Sequence, residues 1–218
     1  DYFISGAKVA DNTITTHGHG IRFVDTKNSS ITSNKITCTG KKGSPFYGIQ
    51  LREGSTSNSI TKNSIINAST NGIYLNTKSS ASSISGNTVK SAGKYGIDIE
   101  QASTTTISSN KISSPAVNGI YIFSGSTVKT IKSNTITSAK KYGIGLDDST
   151  VVDLIQSNTI TKPASNGINV YNKSTAKKIV SNKITSGEGF GIAIYSNSSK
   201  TKLKSNSIKS CKRGSTNM

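Results

Sequence analysis

Two carboxylates near the middle of the chain, Asp98 and Glu100, are separated by a single isoleucine. In a β-strand this spacing places both side chains on one face, because side chains alternate between the two faces. Carboxylates that share a face can transfer protons or chelate a hard cation. Asp98 and Glu100 are therefore the candidate metal ligands of the chain, and Ca²⁺ is the only cofactor that the sequence suggests.

Two anchors recur along the chain at a nearly constant period and define the elements that must position these carboxylates. One is Gly-Ile, whose successive copies are separated by 28, 24, 24, 23, 24, 24 and 24 residues. The other is an asparagine followed two positions later by Ile or Val. Self-similarity at this period is typical of a solenoid. The Gly-Ile pairs begin at Gly20, Gly48, Gly72, Gly96, Gly119, Gly143, Gly167 and Gly191. The asparagines are Asn12, Asn34, Asn63, Asn87, Asn110, Asn134, Asn158, Asn182 and Asn206.

Each period contains three short stretches in which apolar and polar residues alternate, as in strands with one buried face. Such short stretches are unstable alone, so each must pair with its copies in the neighbouring coils. The sequence therefore predicts an all-β fold, a parallel β-helix of about nine coils with ~24 residues per coil and three parallel sheets, forming one domain over residues 1–218. We expect the asparagines to adopt a left-handed bend and stack as an amide ladder, and the glycines to serve turn geometry.

These coil-forming residues resemble the pectate-lyase-like right-handed parallel β-helix superfamily over residues 4–209. The resemblance implies a right-handed coil. Substrates of the superfamily's enzymes lie along the first sheet, so the outward side chains there, one and three positions after each Gly-Ile pair, are the candidate binding residues. Aromatic rings suit pyranose faces, and carboxylates suit hydroxyl groups, a metal or proton transfer. The predicted substrate-binding residues are Arg52, Tyr74, Asn76, Tyr121, Phe123, Asp147, Tyr171 and Tyr195.

The segment Tyr95–Gln101, YGIDIEQ, is similar to the mannuronan C5-epimerase motif YGFDPHE. The resemblance implies that Tyr95 and Asp98 hold the catalytic Tyr and Asp positions of that family. Glu100 stands where the family has its catalytic His. Tyr95, Asp98 and Glu100 are therefore the candidate catalytic residues of a lyase or an epimerase. In β-helix pectate lyases, carboxylates bind Ca²⁺ together with the substrate, which is the role implied for Asp98 and Glu100.

The charge of the chain favours polyanionic partners. It carries 27 Lys and Arg against 10 Asp and Glu, a formal net charge of +17, so we expect an anionic polysaccharide or a cell-wall polymer as partner. Charge alone would also permit nucleic acid, but no recognition motif supports it, and nucleic acid is not predicted. No run of 18 apolar residues exists, so no membrane span is predicted either.

Four other residues and one long segment are interpreted from their places in the repeat. Cys38 and Cys211 fall in the second and ninth coils, roughly 34 Å apart, so no intramolecular disulfide is predicted. His17 and His19 lack a third His or Cys nearby and are interpreted as loop residues. Residues 38–47 lengthen the second coil beside the first sheet, as either a specificity loop or a tolerated insertion.

Two functions stay open at this stage. The first is a secreted or cell-surface bacterial β-helix that binds an anionic, uronate-type polysaccharide along its first sheet and, if catalytic, cleaves or epimerises it. The second is a non-catalytic surface stalk or adhesin module. An ice- or mineral-binding face ranks last, because lysines interrupt the threonine column. We expect the chain to be part of a longer secreted or surface protein, with its secretion signal outside residues 1–218, and leave open whether residues 210–218 belong to the solenoid.

Overall fold

The computed structural model describes residues 4–195 and 201–217. Within these residues all regular secondary structure consists of β-strands. The strands of each coil pair in parallel with their copies in the coils before and after. Three nine-stranded sheets run along the molecule. The prediction of an all-β parallel solenoid of about nine coils with three sheets is confirmed.

The sheets are numbered by the order in which their strands follow a Gly-Ile pair. The first sheet contains Ile21–Val24, Ile49–Arg52, Ile73–Leu75, Ile97–Glu100, Ile120–Phe123, Ile144–Leu146, Ile168–Val170, Ile192–Ile194 and Thr216–Asn217. The second contains Lys8–Ala10, Ser30–Thr32, Asn58–Thr61, Ser80–Ser85, Ser103–Ser108, Thr127–Lys132, Val151–Gln156, Thr175–Val180 and Lys202–Lys204. The third contains Thr13–Thr16, Lys35–Cys38, Ser64–Ile66, Thr88–Lys90, Lys111–Ser113, Thr135–Thr137, Thr159–Thr161, Lys183–Thr185 and Ser207–Lys209. Ile4–Ser5 and Thr26–Lys27 form a separate two-stranded pair.

The core is a set of isoleucine columns enclosed by the three sheets. In the middle coils Ile97 pairs with Ile120, and both side chains are fully buried. Ile107 and Ile131 repeat this arrangement in the second sheet. Each fully buried side chain of this size contributes roughly 1.5–3 kcal/mol, and branching at Cβ suits a pleated, stacked surface. This regular core holds the strand register, and with it the positions of all outward side chains.

The repeated asparagines form the predicted amide ladder. Asn110 is 1% exposed, its Oδ1 accepts from the backbone N–H and from Nδ2 of Asn87, and its Nδ2 donates to Oδ1 of Asn134. The predicted left-handed conformation of the asparagine itself was wrong. The residue before it takes that conformation, as Ser109 does with φ 55°. The bend thus precedes the asparagine and turns its side chain into the ladder.

The glycine of each Gly-Ile pair permits a close approach between coils. A Cβ on Gly119 would lie 2.4 Å from Cγ2 of Ile136 and 2.6 Å from the carbonyl oxygen of Gly143. Gly119 lies at a bend, as predicted, but it is not among the residues with positive φ. Glycine is required here because any side chain would collide with the backbone of the next coil.

Cys38 is buried, Cys211 is partly exposed, and both are free thiols. Burial raises the pKa of the Cys38 thiol.

Residues 210–217 continue the solenoid, because Thr216 pairs with Ile192 and the Lys212 N–H donates to the Gly187 carbonyl at 2.9 Å. The described part of the chain contains no helix long and apolar enough to cross a membrane.

Candidate functional site

The outward surface of the first sheet, called here the first-sheet face, consists of two columns. The inner column holds the residue one position after each Gly-Ile pair, and the outer column holds the residue three positions after it. Most of the inner column is buried although its side chains point away from the core, and Tyr74, Asp98 and Tyr121 are 8%, 2% and 8% exposed. The outer column remains accessible, and its partly or fully exposed members are Val24, Arg52, Asn76, Glu100, Phe123, Asp147, Tyr171 and Tyr195.

A third column, formed by the residue before each Gly-Ile pair, covers the inner column. From Tyr47 onward this cover column alternates between a ring and an asparagine, in the order Tyr47, Asn71, Tyr95, Asn118, Tyr142, Asn166 and Phe190. Each asparagine binds the backbone of the next ring. The Oδ1 atoms of Asn118 and Asn166 accept from the N–H groups of Tyr142 and Phe190 at 3.1 and 2.8 Å. Sequence reasoning missed these asparagines, although a repeat of two coils marks them.

Rings of the cover column pack against rings of the inner and outer columns. Tyr95 and Tyr121 lie with ring centroids 4.7 Å apart, and Tyr47 and Tyr74 repeat the same distance two coils earlier. Phe123 stacks on Tyr121 at 5.0 Å. These contacts remove most of the inner rings from water and leave their hydroxyl groups to make hydrogen bonds.

Asp98 is buried in this aromatic layer. Its neighbours in the inner column are Tyr74 and Tyr121, and Asn71 donates to its Oδ2 at 2.7 Å. Its Oδ1 has no hydrogen-bond partner among the described residues. Burial, followed by the charge of Glu100, raises the pKa of Asp98 well above its usual range, against the opposing effects of Lys94 and Asn71. Asp98 is therefore not directly open to a polymer on the surface.

Glu100 is more accessible, and its Oε2 accepts a hydrogen bond from the Tyr74 hydroxyl. Burial and this bond raise the pKa of Tyr74. Burial, Asp98, Asp147 and Glu100 raise the pKa of Tyr95 to about 12. The predicted catalytic residues Tyr95, Asp98 and Glu100 thus lie in one strand and its preceding turn, and the raised pKa of Tyr95 favours its protonated phenol form.

Asp147 organises a second cluster two coils further along. Its Oδ2 accepts from the hydroxyl groups of Tyr121 and Tyr171, both at 2.6 Å, and its Oδ1 accepts from Asn172 at 2.7 Å. Burial, followed by the hydrogen bond to Asp147, raises the pKa of Tyr121 and Tyr171. Three of the predicted substrate-binding residues, Tyr121, Asp147 and Tyr171, therefore meet in one hydrogen-bonded group.

The remaining predicted residues lie nearer the ends of the face. Arg52 forms an ion pair with Glu53, and Asn76 accepts a 3.5 Å hydrogen bond from Gln50. Tyr195 is 41% exposed, and its hydroxyl lies 3.4 Å from Nδ2 of Asn166. Arg52 lies two coils from Glu100, whereas Asn76 and Tyr195 each lie one coil from a member of the two carboxylate clusters, Glu100 and Tyr171.

The carboxylate pair does not suit Ca²⁺. The ion takes six to eight oxygen ligands, and no group of three or more His, Cys, Asp and Glu side chains gathers within residues 4–195 and 201–217. Asp98 is held beneath the surface by Asn71, and Glu100 is bound by Tyr74. The two side chains are therefore arranged for hydrogen bonding to amide and phenol groups of the protein.

Comparison with known proteins finds similarity to right-handed β-helix proteins. A model of the right-handed beta helix region matches residues 2–129 and 118–216. The structure is similar to the crystal structure of a mutant of the periplasmic alginate epimerase AlgG, with a TM-score of 0.64 and 16% sequence identity. The similarity covers 94% of this chain and 61% of that chain. The catalytic domain of a GH87 alpha-1,3-glucanase in complex with tetrasaccharides has a TM-score of 0.48 and 10% identity, covering 98% of this chain and 61% of that chain. No curated protein matches the chain in sequence. The family match extends over nearly the whole chain, and this protein belongs to the right-handed β-helix family.

Proposed function

We propose that this protein is a secreted or cell-surface β-helix that binds an anionic, uronate-type polysaccharide along its first-sheet face. The observation that carries the proposal is the row of carboxylates held by phenols in the accessible outer column. Glu100 is bound by Tyr74, and Asp147 is bound by Tyr121 and Tyr171. Each carboxylate is fixed by the protein and keeps lone pairs that can accept hydrogen bonds from sugar hydroxyls.

The rings beside these carboxylates suit the apolar faces of pyranoses. Phe123 and Tyr171 are partly exposed and flank Asp147, and Tyr195 is the most exposed ring of the face. Because the coils hold all of these groups before a ligand arrives, little conformational entropy is lost on binding. The fold likeness to an alginate epimerase is in keeping with a polysaccharide ligand.

The charges that border the face favour an anionic polymer. Lys94 and Lys141 lie with their ammonium groups 4.8 Å from the ring centroids of Tyr95 and Tyr142. Both lysines are accessible, at equivalent positions two coils apart. With a net charge of +17 on the chain, they would attract a polyanion and oppose the local repulsion from Glu100 and Asp147.

Lyase or epimerase activity is the second candidate. The observation that favours it is the contrast between Asp98 and Glu100. Asp98 is buried, bound by Asn71 and has a pKa well above its usual range, whereas Glu100 is partly exposed on the same strand face. Two carboxyl groups in such different environments are suited to divide acid and base roles. A lyase would produce an unsaturated sugar that absorbs in the ultraviolet, and an epimerase would exchange the sugar's C5 proton with deuterated water. Unchanged turnover in an Asp98→Ala, Glu100→Ala variant would exclude this site.

Binding is tested by calorimetry with alginate, pectate and a neutral glucan. Asp147→Asn keeps the shape of the side chain and removes the charge that orders the two phenols. Asp153→Asn is the matched control, because Asp153 lies on the second sheet, paired with Lys177 at 2.7 Å, and the change in net charge is identical. We expect Asp147→Asn to weaken binding about tenfold or more, equivalent to about 1.4 kcal/mol, and Asp153→Asn to leave it unchanged.

Two results would overturn the proposal. Equal effects of the two substitutions would show that only the net charge matters. Absence of binding to any of the three polymers would remove the proposed function and favour a non-catalytic stalk or adhesin.

A further inference from the structure

The first two coils of the first-sheet face differ in chemistry from the rest of the face. Arg22 stands in the inner column of the first coil and Arg52 in the outer column of the second, while Gln50 pairs with Arg22 in the sheet register. The carboxylates Glu100 and Asp147 lie at least two coils further along the outer column. Two guanidinium groups therefore gather at one end of a face whose middle is rich in carboxylates and phenols.

His19 lies beside these guanidinium groups. Its ring stacks on Tyr47 with a centroid distance of 5.3 Å and meets Phe46 edge-on at 5.4 Å. Its Nδ1 accepts a 3.3 Å hydrogen bond from the Tyr47 N–H, which assigns the proton of the neutral ring to Nε2. Burial, followed by the charges of Arg22 and Arg52, lowers the pKa of His19. The interpretation of His19 as an ordinary loop residue missed this packing.

The longest insertion of the chain builds one wall of this corner. Residues 38–47 carry Phe46 and Tyr47, the two rings that contact His19. The third coil holds the insertion in place, because the N–H and the hydroxyl of Thr70 donate to the Phe46 carbonyl at 3.1 and 2.9 Å. The extra residues thus place two aromatic rings against His19, the residue whose pKa is lowered by burial and by the charges of Arg22 and Arg52.

The positive groups in this corner are only partly satisfied by the protein. Arg52 is paired with Glu53, but its Nε is buried without a hydrogen-bond partner among the described residues, as is Oε1 of Gln50. Arg22 is exposed and belongs to none of the ion pairs found in residues 4–195 and 201–217. Guanidinium groups bind carboxylates through paired N–H donors, which makes them suited to an acidic sugar.

We propose that Arg22, Arg52 and His19 form a carboxylate-binding subsite that receives one uronate residue of the polymer at the N-terminal end of the first-sheet face. This inference rests on the proposed function and adds a division of roles to it. The guanidinium corner recognises the acid group of the sugar, and the clusters around Glu100 and Asp147 bind hydroxyl groups. Arg52 and Glu100 are two coils apart, about 10 Å, so one short oligosaccharide spans both.

The test compares oligogalacturonate and oligoalginate with their methyl esters, which have the same length but no charge. Calorimetry measures each affinity for the unmodified protein, for Arg22→Gln combined with Arg52→Gln, and for Lys129→Gln combined with Lys132→Gln. The last pair is the matched control, because Lys129 and Lys132 are exposed on the second sheet and the loss of charge is the same. Far-UV circular dichroism establishes that each variant is folded.

We expect the unmodified protein and the lysine variant to prefer the free acid over the ester by tenfold or more, and the arginine variant to lose this preference. If the arginine variant binds the polymer and keeps the preference, the subsite is refuted and the proposed function stands. If the unmodified protein binds neither form, both proposals fail.

A nuclear magnetic resonance titration supplies an independent readout of His19. The chain has two histidines, and exposed His17 serves as the internal reference. A bound carboxylate favours the imidazolium form, so the pKa of His19 should rise in the acid complex and not in the ester complex. A His19 pKa that is the same in both complexes would contradict its place in the subsite.

Discussion

Replacing Asn110 by alanine tests the energetic role of the asparagine ladder. The substitution removes four side-chain hydrogen bonds, two accepted from Asn87 and two donated to Asn134 and to the Ile84 carbonyl. The Asn87 N–H is then left without an acceptor in a buried position, at a cost of about 1–3 kcal/mol, and each remaining bond contributes about 1 kcal/mol. We expect a loss of roughly 4–6 kcal/mol in the free energy of unfolding.

Asn12→Ala is the matched control, because Asn12 is the first and exposed member of the same ladder. Its Nδ2 donates to Asn34 at 2.9 Å and to the Ala10 carbonyl at 2.8 Å. Water can replace these bonds at an exposed end, so the expected loss is below about 1 kcal/mol. Urea unfolding followed by far-UV circular dichroism gives both values. Equal losses for the two variants would refute the reasoning.

The slope of the urea transition is part of this measurement. Coils of a solenoid contact only their neighbours, so a weakened central coil can unfold separately from the ends. A reduced slope in Asn110→Ala alone would indicate such an intermediate, and the free energy is then taken from the resolved steps.

Two further predictions concern a glycine and a buried acid. Gly119→Ala should destabilise the protein by several kcal/mol, because the added Cβ would collide with the Gly143 backbone. Gly125→Ala should cost only about 1–2 kcal/mol, because Gly125 has φ 70° but open space around it. Equal urea midpoints for the two variants would contradict this prediction. Asp98→Asn should raise stability at pH 7 but not at pH 3.5. At pH 3.5, below the ordinary Asp pKa of about 3.9, Asp98 is mostly protonated in the unfolded state as well as in the folded state. At higher pH the unfolded state ionises first, so the raised pKa of Asp98 in the folded state lowers stability as pH increases. If the unfolding free energies of Asp98→Asn and of the unmodified protein differ by the same amount at both pH values, this prediction is contradicted.

The number of coils, the three sheets and the ladder could be predicted because the period places identical residues in register. Ile97, Ile107 and Ile112 recur at fixed spacings, and parallel stacking is the arrangement that buries all such copies at once. The ladder was predictable because a buried amide has donors and acceptors that match the next copy of itself.

The burial of Asp98 could not be predicted from alternation. Alternation tells which side chains point away from the core, but it does not tell what lies over them. Here Tyr95 and Asn71, from the cover column of two successive coils, lie next to the inner column. Residues that differ from coil to coil decide this packing, and a search for what the coils share passes over them.

The same reason explains why the roles of the repeated glycine and asparagine were predicted incompletely. Gly119 and Asn110 were assigned to turn geometry because both residue types favour it. The structure shows that Gly119 is required by the backbone of the following coil and that Ser109 makes the bend before Asn110. Conformational preference alone does not report contacts made between coils.

Hydroxyl-radical footprinting of the protein with and without bound polysaccharide tests the central claim most directly. If the polymer lies along the first-sheet face, oxidation of Phe123, Tyr171 and Tyr195 should fall severalfold on binding, because these rings are the accessible ones of the outer column. Leu203, in the second sheet, should be oxidised at an unchanged rate. Protection of Leu203 with no protection of the three rings would contradict the account.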